Sequence, residues 1–332
     1  NNNKQRKNMN NIKKIGMTAL AASLVSTSVF AGEMAVTGSA SMNMSGHSGT
    51  ALNQATAFTM GNQLTFSGSG ELDNGMTVSL SFIIDQNDDS NATTSSPFDN
   101  HSVTVSSDAL GTLAFHGEGG ASAASALDTT AAGDMWDNFN SNGGVSVTDS
   151  APGDNSIMYT LPSLVDGLSV SASYNPSISG TTPGNAAELG YSATYTGVEG
   201  LSLSYGVTDL DRAGTATDGD QTAWKASYAY GPVTVAASNS EYDVTGTASD
   251  QEVSSYKISY TVSDAISIGY GSETISTSTA GELDAEYDGI NASYTSGGMT
   301  ISASMQDGTE IAHTTGVDED LEYWSLGLSF AF

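Results

Sequence analysis

The sequence contains no cysteine among its 332 residues, and only eight of those residues are lysine or arginine. Without cysteine, the chain cannot be a disulfide-stabilised scaffold or use a thiol nucleophile. The shortage of basic residues excludes nucleic acid as a partner, because phosphate binding needs clustered lysine and arginine. The stability of the fold must therefore come from extensive backbone pairing in one large domain.

Histidine is also scarce, and none of the four histidines has a catalytic or metal-binding spacing; they are His47, His101, His116 and His313. A lipase or protease built on a barrel would need a Ser-His or Asp-His constellation, which these residues do not form. We therefore expect no catalytic residues and no enzymatic activity.

Acidic residues are abundant, numbering 37, and some of them cluster in polar stretches. Three clusters could hold structural calcium through carboxylate oxygens; the candidate ligands are Asp85, Asp88, Asp89, Asp218 and Asp220, and the third cluster is Asp318-Glu-Asp320. None of the clusters has the spacing of an EF-hand, so the alternative is that these acids are simply solvated. We expect no other cofactor.

Most of the basic residues lie at the head of the chain, where Lys4, Arg6, Lys7, Lys13 and Lys14 precede an apolar run over residues 15–25. That run is followed by Val29-Phe30-Ala31, so residues 1–31 are predicted to be a secretory signal cleaved after Ala31, with Met9 as its start. The run is too short for a spanning helix, which needs about 18 residues. A single domain is expected over 32–332.

The remainder of the chain has apolar residues at every second position and no long apolar run. The last segment shows this best, because one face carries large apolar side chains while the other carries mainly small or polar ones. The apolar face consists of Trp324, Leu326, Leu328, Phe330 and Phe332. The same alternation over 201–207, 224–230 and 256–262 indicates β-strands.

Short turns alternate along the chain with long polar stretches such as 44–62 and 117–155. The segments between these breaks number sixteen, and a transmembrane up-and-down antiparallel β-barrel has this alternation of short turns and long loops. In such a barrel the apolar face meets lipid and the small polar face lines the lumen. A cylinder of sixteen strands is too wide for those small side chains to fill, so an aqueous channel is expected.

The segment 117–155 is far longer than a hairpin loop and is rich in acids, and loops of such length are usually functional or disordered. If it folds into the barrel, it narrows the lumen and places carboxylates in the path of solutes, which favours cations. The candidate constriction residues are Glu118, Asp128, Asp134, Asp137, Asp149 and Asp154. The alternative is that these acids solvate an exposed loop.

After the signal only three basic residues remain, Arg212, Lys225 and Lys257. The alternation of the strands directs Lys225 and Lys257 toward the lumen. These two lysines could form a positive wall opposite the acidic loop, or they could be salt-bridged residues of the wall.

Several segments carry a resemblance to a known family; they are Leu110-Gly-Thr-Leu-Ala-Phe115, Asp154-Asn-Ser-Ile-Met-Tyr-Thr-Leu-Pro162, Asp166-Gly-Leu-Ser-Val-Ser-Ala-Ser-Tyr174 and the terminal Phe332. The sequence resembles the general porins of Gram-negative outer membranes, most closely the alphaproteobacterial type. The resemblance implies an outer-membrane homotrimer of sixteen-stranded barrels, each with its third loop folded into the pore. It also implies contact with outer-membrane lipids and with the barrel-assembly machinery through the C-terminal strand.

In that family the acids of the loop commonly face an arginine cluster on the barrel wall. This sequence departs from the pattern, because Arg212 is its only arginine after the signal and falls in an expected outer loop. We therefore expect a passive diffusion channel for small hydrophilic solutes and ions that prefers cations. The alternative is a secreted, soluble β-rich adhesin or surface-layer protein, which would predict an internal repeat; none is evident.

Overall fold

The computed structural model of the protein describes residues 34–49, 56–85, 98–120, 122–140, 144–145, 147, 155–176, 186–212, 218–244, 250–314 and 320–332. The expected signal peptide lies outside these residues, as do Asp88, Asp89, Asp149 and Asp154.

Sixteen strands make up almost all of the described regular structure. They are β1 (Ala35–Gly49), β2 (Thr56–Glu71), β3 (Thr77–Asp85), β4 (Phe98–Ser107), β5 (Gly111–Glu118), β6 (Ser156–Thr160), β7 (Leu168–Asn175), β8 (Ala186–Tyr195), β9 (Leu201–Arg212), β10 (Gly219–Tyr230), β11 (Val233–Val244), β12 (Gln251–Ser263), β13 (Ile266–Thr277), β14 (Ala285–Ser296), β15 (Met299–Thr309) and β16 (Asp320–Ala331). Two one-turn helices, α1 (Ser125–Asp128) and α2 (Asp137–Asn140), lie between β5 and β6. No helix in the described ranges is long and apolar enough to cross a membrane.

Each strand pairs antiparallel with its neighbours in sequence, and β1 pairs with β16, so the sheet closes into a barrel. The predicted strand number and up-and-down topology are confirmed. Closure leaves no unpaired sheet edge, which matters in hydrocarbon because each unpaired backbone group there costs several kcal/mol. The last residue completes the seam, since the backbone of Phe332 exchanges two hydrogen bonds with Gly38, of 2.7 and 2.9 Å.

The outer surface of the barrel is apolar. Leu326, Phe330 and Phe332 are 50%, 38% and 73% exposed, and the indole of Trp324 lies over Gly46, as expected for the outward face of the last strand. The same exposure holds on the other strands, for example at Tyr256, Ile258, Tyr260, Ile268, Ile290 and Ile301. A soluble barrel would bury these side chains, so the adhesin alternative is not favoured.

The inner surface carries small hydroxyl side chains that bond across neighbouring strands. Four of these pairs have oxygen–oxygen distances of 2.7–2.9 Å; they are Thr160 with Ser171, Thr194 with Ser204, Ser267 with Ser293, and Ser304 with Ser325. Hydroxyls both donate and accept hydrogen bonds and occupy little volume. The wall is therefore wettable and leaves space inside the barrel.

The expectation of a loop over 44–62 is wrong at both ends. β1 continues to Gly49 and β2 begins at Thr56, and the two strands stay in register up to the pair of Gly46 with Thr56. The small and polar residues of this stretch resemble a loop in sequence. They form strand because the alternation persists, with Met44 and Phe58 directly opposite each other on the outer face.

Replacing Gly38 with valine should destabilise the seam of the barrel. A Cβ at Gly38 would lie 2.4 Å from the ring of Phe332 and 3.1 Å from Leu64, so the terminal ring must move. We expect a loss of about 1–3 kcal/mol, typical of overpacking, measured by urea unfolding in detergent. Gly68→Val is the matched control, because a Cβ there meets nothing within 4 Å; equal losses in both variants would contradict the packing argument.

Candidate functional site

The long connection between β5 and β6 lies against the inner wall of the barrel. At one end, the backbone N–H of Ala123 donates to Ser173 Oγ on β7 at 2.7 Å. At the other end, Nε2 of His47 on β1 lies 2.7 Å from the carbonyl oxygen of Asn138. The described part of this connection therefore follows the wall from β7 through the higher-numbered strands to β1, and we refer to it as the inner loop (residues 119–147).

Four inward residues hold the middle of the inner loop, and they occupy directly opposite register positions on β10 to β13. We name this set the seat row; it consists of Lys225, Ser238, Ser255 and Glu273. Lys225 Nζ donates to the carbonyl oxygen of Thr129 at 2.8 Å. The N–H groups of Ala131, Ala132 and Trp136 donate to Ser238, Ser255 and Glu273 at 2.8, 2.9 and 3.2 Å. Each strand thus binds one main-chain group of the loop.

A compact turn at Thr130 connects the seat row to the acids of the loop. The Thr130 hydroxyl donates to Glu273, which is 1% exposed, and accepts from the N–H groups of Gly133 and Asp134 at 3.0 and 2.9 Å. Oδ1 of Asp134 in turn accepts from the N–H of Thr130 at 2.8 Å. Asp134 has a φ of 55°, a left-handed conformation that aspartate tolerates better than most residues. The backbone position of Asp134 is therefore fixed by the wall.

The second half of the inner loop is held by apolar packing. Phe139 is fully buried, and its ring centroid lies 5.3 Å from that of Tyr287 on β14. Together with Met135, Trp136 and Ile311, these residues belong to the buried cluster between loop and wall. Burying a side chain of this size contributes about 1.5–3 kcal/mol, so the loop is an integral part of the fold.

Glycines on the wall make room for the inner loop. A Cβ at Gly206 on β9 would lie 2.6 Å from Leu127, and a Cβ at Gly271 on β13 would lie 2.7 Å from Ala132. Glycine inside a strand often marks the close approach of another chain segment, and that is the case here.

The inner loop brings three of the predicted constriction acids onto the wall. Asp128 accepts a hydrogen bond from Gln221 Nε2 at 3.1 Å, Asp134 is partly exposed, and Asp137 is exposed at the start of α2. Glu118 instead ends β5 opposite His101, outside the packed part of the loop. Asp149 and Asp154 are not among the described residues.

Both predicted lumen lysines occupy inward positions, but they lie on the side of the barrel that carries the loop. Lys225 belongs to the seat row, and Lys257 lies opposite Gly271, against which Ala132 packs. The alternative of a positive wall facing the loop is therefore wrong. Within the described ranges neither lysine forms an ion pair with a carboxylate, so the salt-bridge alternative finds no support. Both lysines therefore lie between the barrel wall and the segment of the loop that contains Thr129 and Ala132.

The wall away from the inner loop is free of basic residues. The strands β1 to β8 contain no lysine or arginine, and the inward positions of β2 to β4 are mostly neutral, as at Gln63, Thr65, Ser81, Ser102 and Thr104. Arg212, expected in an outer loop, is the last residue of β9. Among the described residues, the acids of the loop thus face a wall without lysine or arginine.

The calcium candidates are dispersed in the structure. Asp85 ends β3, whereas Asp218 and Asp220 lie at the start of β10. Within the described parts of the chain, no three histidine or acidic side chains converge as metal ligands would. Calcium binding by the acidic loops remains a prediction.

Sequence reasoning found Lys225 but missed the other three residues of the seat row, Ser238, Ser255 and Glu273, and the role of Phe139. The signal for Glu273 was present, because Ile266, Ile268 and Tyr270 face outward and the alternation then directs Glu273 into the lumen. Its inward neighbours Ser255, Gly271, Ile275 and Tyr287 are all uncharged. That Glu273 binds the loop, however, depends on the path of the loop and is not visible in the sequence.

Comparison with known proteins gives a family and a fold. The family model described as "Gram-negative porin" matches residues 16–332. A search of curated proteins finds no match. Among solved structures, a porin refined at 1.8 Å resolution has a TM-score of 0.65 and 20% identity over 90% of this chain and 100% of its own.

Two further structures share the fold. The anion-selective porin from Comamonas acidovorans has a TM-score of 0.69 and 16% identity, covering 90% of this chain and 99% of its own. A triple mutant of Rhodopseudomonas blastica porin has a TM-score of 0.63 and 17% identity, covering 90% of this chain and 100% of its own. At these identities the likeness concerns the fold alone.

Replacing Thr130 with valine should loosen the inner loop. Valine has nearly the same shape but cannot donate to Glu273 or accept from Gly133 and Asp134, and leaving buried polar groups unpaired costs about 1–3 kcal/mol each. We expect faster amide hydrogen exchange across residues 129–140 in the folded barrel. Thr129→Val is the control, because Thr129 is exposed and its contact with the wall is through its carbonyl. Unchanged exchange in Thr130→Val would refute the role of this turn.

Proposed function

This chain belongs to the Gram-negative porin family and is an outer-membrane β-barrel channel protein, and from this premise we propose that small hydrophilic solutes and ions diffuse passively through it, with a preference for cations. The porins are channels and not enzymes. The sign of the charge preference and the range of solutes are the new parts of the proposal.

The cation preference is supported above all by the position of the acidic inner loop opposite a wall without basic residues. Acidic groups at a constriction attract cations and repel anions. Asp134 and Asp137 lie on this loop, while β1 to β8 contribute no lysine or arginine. The structural neighbour from Comamonas acidovorans is described as anion-selective, so one fold accommodates either sign and the side chains must decide it.

The breadth of solutes is supported by the hydroxyl lining of the wall. Serine and threonine can both donate and accept hydrogen bonds, so they replace part of the hydration of many polar solutes without selecting one. Their small volume leaves the barrel open on either side of the loop.

Removing two charges from the loop should weaken the cation preference. In Asp134→Asn/Asp137→Asn the amide oxygens can still accept the local hydrogen bonds, while the negative charge near the path is lost. We expect the reversal potential of the channel in a KCl gradient across a planar bilayer to move toward zero.

The matched control is Glu241→Gln/Asp243→Asn on β11. These exposed acids face outward, because the inward position between them is the buried Tyr242. The barrel wall separates them from the lumen, so the reversal potential should stay close to that of the unmodified protein. A larger shift in the control than in the loop variant would refute the proposal, as would a wild-type channel that prefers chloride.

We also propose that the protein forms a homotrimer that contacts outer-membrane lipids and is assembled through its C-terminal strand by the barrel-assembly machinery. The outer surface differs around the barrel, since exposed acids follow the apolar band on β9 to β16; examples are Asp209, Asp220, Asp288, Asp307 and Glu322. On β2 and β3 the outward positions remain apolar at that end, at Phe58, Met60 and Ile84. This acid-free side can pack against an identical copy without bringing like charges together.

The number of chains in the assembly can be tested by measuring the mass of the intact particle. Native mass spectrometry of the detergent-solubilised protein should give three chains per particle, and Phe58→Glu/Met60→Glu on the acid-free side should reduce that number. The paired control Leu203→Glu/Tyr205→Glu carries the same change to the outer surface of β9. A single chain per particle in the unmodified protein would contradict the proposal.

A further inference from the structure

Two lysines lie close together on the inner wall, immediately on the short-turn side of the inner loop. Lys225 is opposite Ser238 on β11, and Lys257 is opposite Ala236, two residues nearer the start of the same strand. Two strand spacings across and two residues along place the Cα atoms roughly 12 Å apart. Both side chains are long and flexible enough to reach one small group between them.

The two positive charges of this pair are not matched by two nearby negative charges. Lys225 is bound to a neutral carbonyl, that of Thr129, and its charged neighbours are Asp134 and Lys257. Within the described ranges Lys257 has no hydrogen bond or ion pair of its own. Like charges on adjacent strands repel, so the pair would gain from an anionic group near both ammonium groups.

The wall around Lys257 leaves space for such a group. Ala132 of the loop covers Gly271 on one side of Lys257. On the other side the neighbour across the strands is the small Ala236, and the next inward position of β12 toward the short turn is Ser259. Lys257 itself is partly exposed. A solute passing the loop can therefore approach the ammonium group of Lys257 from the short-turn side.

We propose that Lys225 and Lys257 form a subsite for the anionic end of zwitterionic solutes, whose ammonium end meets Asp134 and Asp137 on the loop above. The inference rests on the proposed function as a diffusion pore and adds a class of solute to it. A solute with separated positive and negative ends, such as an amino acid or a short peptide, matches the order of charges along this wall. An uncharged solute of the same size gains nothing from it, and a plain anion is repelled by the acids first.

The simpler assignment is structural, in which Lys225 only anchors the loop and Lys257 only offsets nearby acids. The two assignments differ in a measurable ratio. A structural lysine affects all solutes alike, through the width of the pore. A lysine that binds the anionic end changes the rate for zwitterions relative to uncharged solutes.

The test is swelling of liposomes that contain the purified full-length protein, with glycylglycine as the zwitterion and N-acetylglycinamide as an uncharged molecule of similar size. In the unmodified protein glycylglycine should enter faster. In Lys257→Gln we expect the ratio of the two rates to fall about threefold, the size of effect that one solvent-exposed charge pair can have. Raising the salt concentration should reduce the ratio of the unmodified protein, because mobile ions screen exposed charges.

Thr261→Gln, two inward positions beyond Lys257 on β12, is the control for the size of the wall residue, and it should leave the ratio of the two rates unchanged. Each variant is first shown to conduct KCl, so that a missing channel is recognised as a failure of folding. A ratio that stays the same in Lys257→Gln overturns the inference, and so does an unmodified protein that admits both solutes equally. If the unmodified protein forms no channel at all, it is the proposed diffusion function that fails.

Discussion

Every feature of this protein depends on the requirement that backbone hydrogen bonds be satisfied within hydrocarbon. Lipid offers no partner for a free N–H or C=O, so a β-sheet can cross the membrane only as a closed ring. The seam between β1 and β16 meets this requirement, and the carboxyl-terminal Phe332 is paired within it. Closure also divides the side chains into two sets, because alternate residues must face lipid or lumen.

The inner loop can fold into the barrel because the lumen is wide. A ring of sixteen strands encloses more volume than serine, threonine and glycine can fill. The loop occupies part of that volume, and its main chain makes one hydrogen bond to an inward side chain on each strand from β10 to β13. Beyond Glu273 the contacts become apolar, around Phe139 and Tyr287. The carboxylate of Asp134 is therefore attached to a stretch of backbone that is hydrogen-bonded to the wall through Thr130 and Glu273.

Charge is distributed unevenly both inside and outside the barrel. Inside, the acids of the loop and the two lysines lie on one wall, and the strands from β1 to β8 contribute no basic residue. Outside, exposed acids lie on β9 to β16, whereas the outward positions of β2 and β3 at the same end carry no acid. The fold by itself does not set the preferred sign of ion, since a neighbour with the same architecture is described as anion-selective. Side-chain choice on a constant frame thus determines what a porin of this kind passes and contacts.

The amino-acid sequence by itself determined the number of strands, the closed topology and the face that each residue presents, because a two-residue period survives in every strand and is local. It misjudged the stretch 44–62, where small and polar residues continue a hairpin whose pairing is non-local. The tertiary structure alone decided which wall the loop covers, that Glu273 and Phe139 hold it, and that both lysines lie beside it. Those contacts join residues more than 90 positions apart, such as Lys225 with Thr129 and Glu273 with Thr130. No period or spacing in the chain encodes them, since they arise only when the ring closes and brings distant strands to one side.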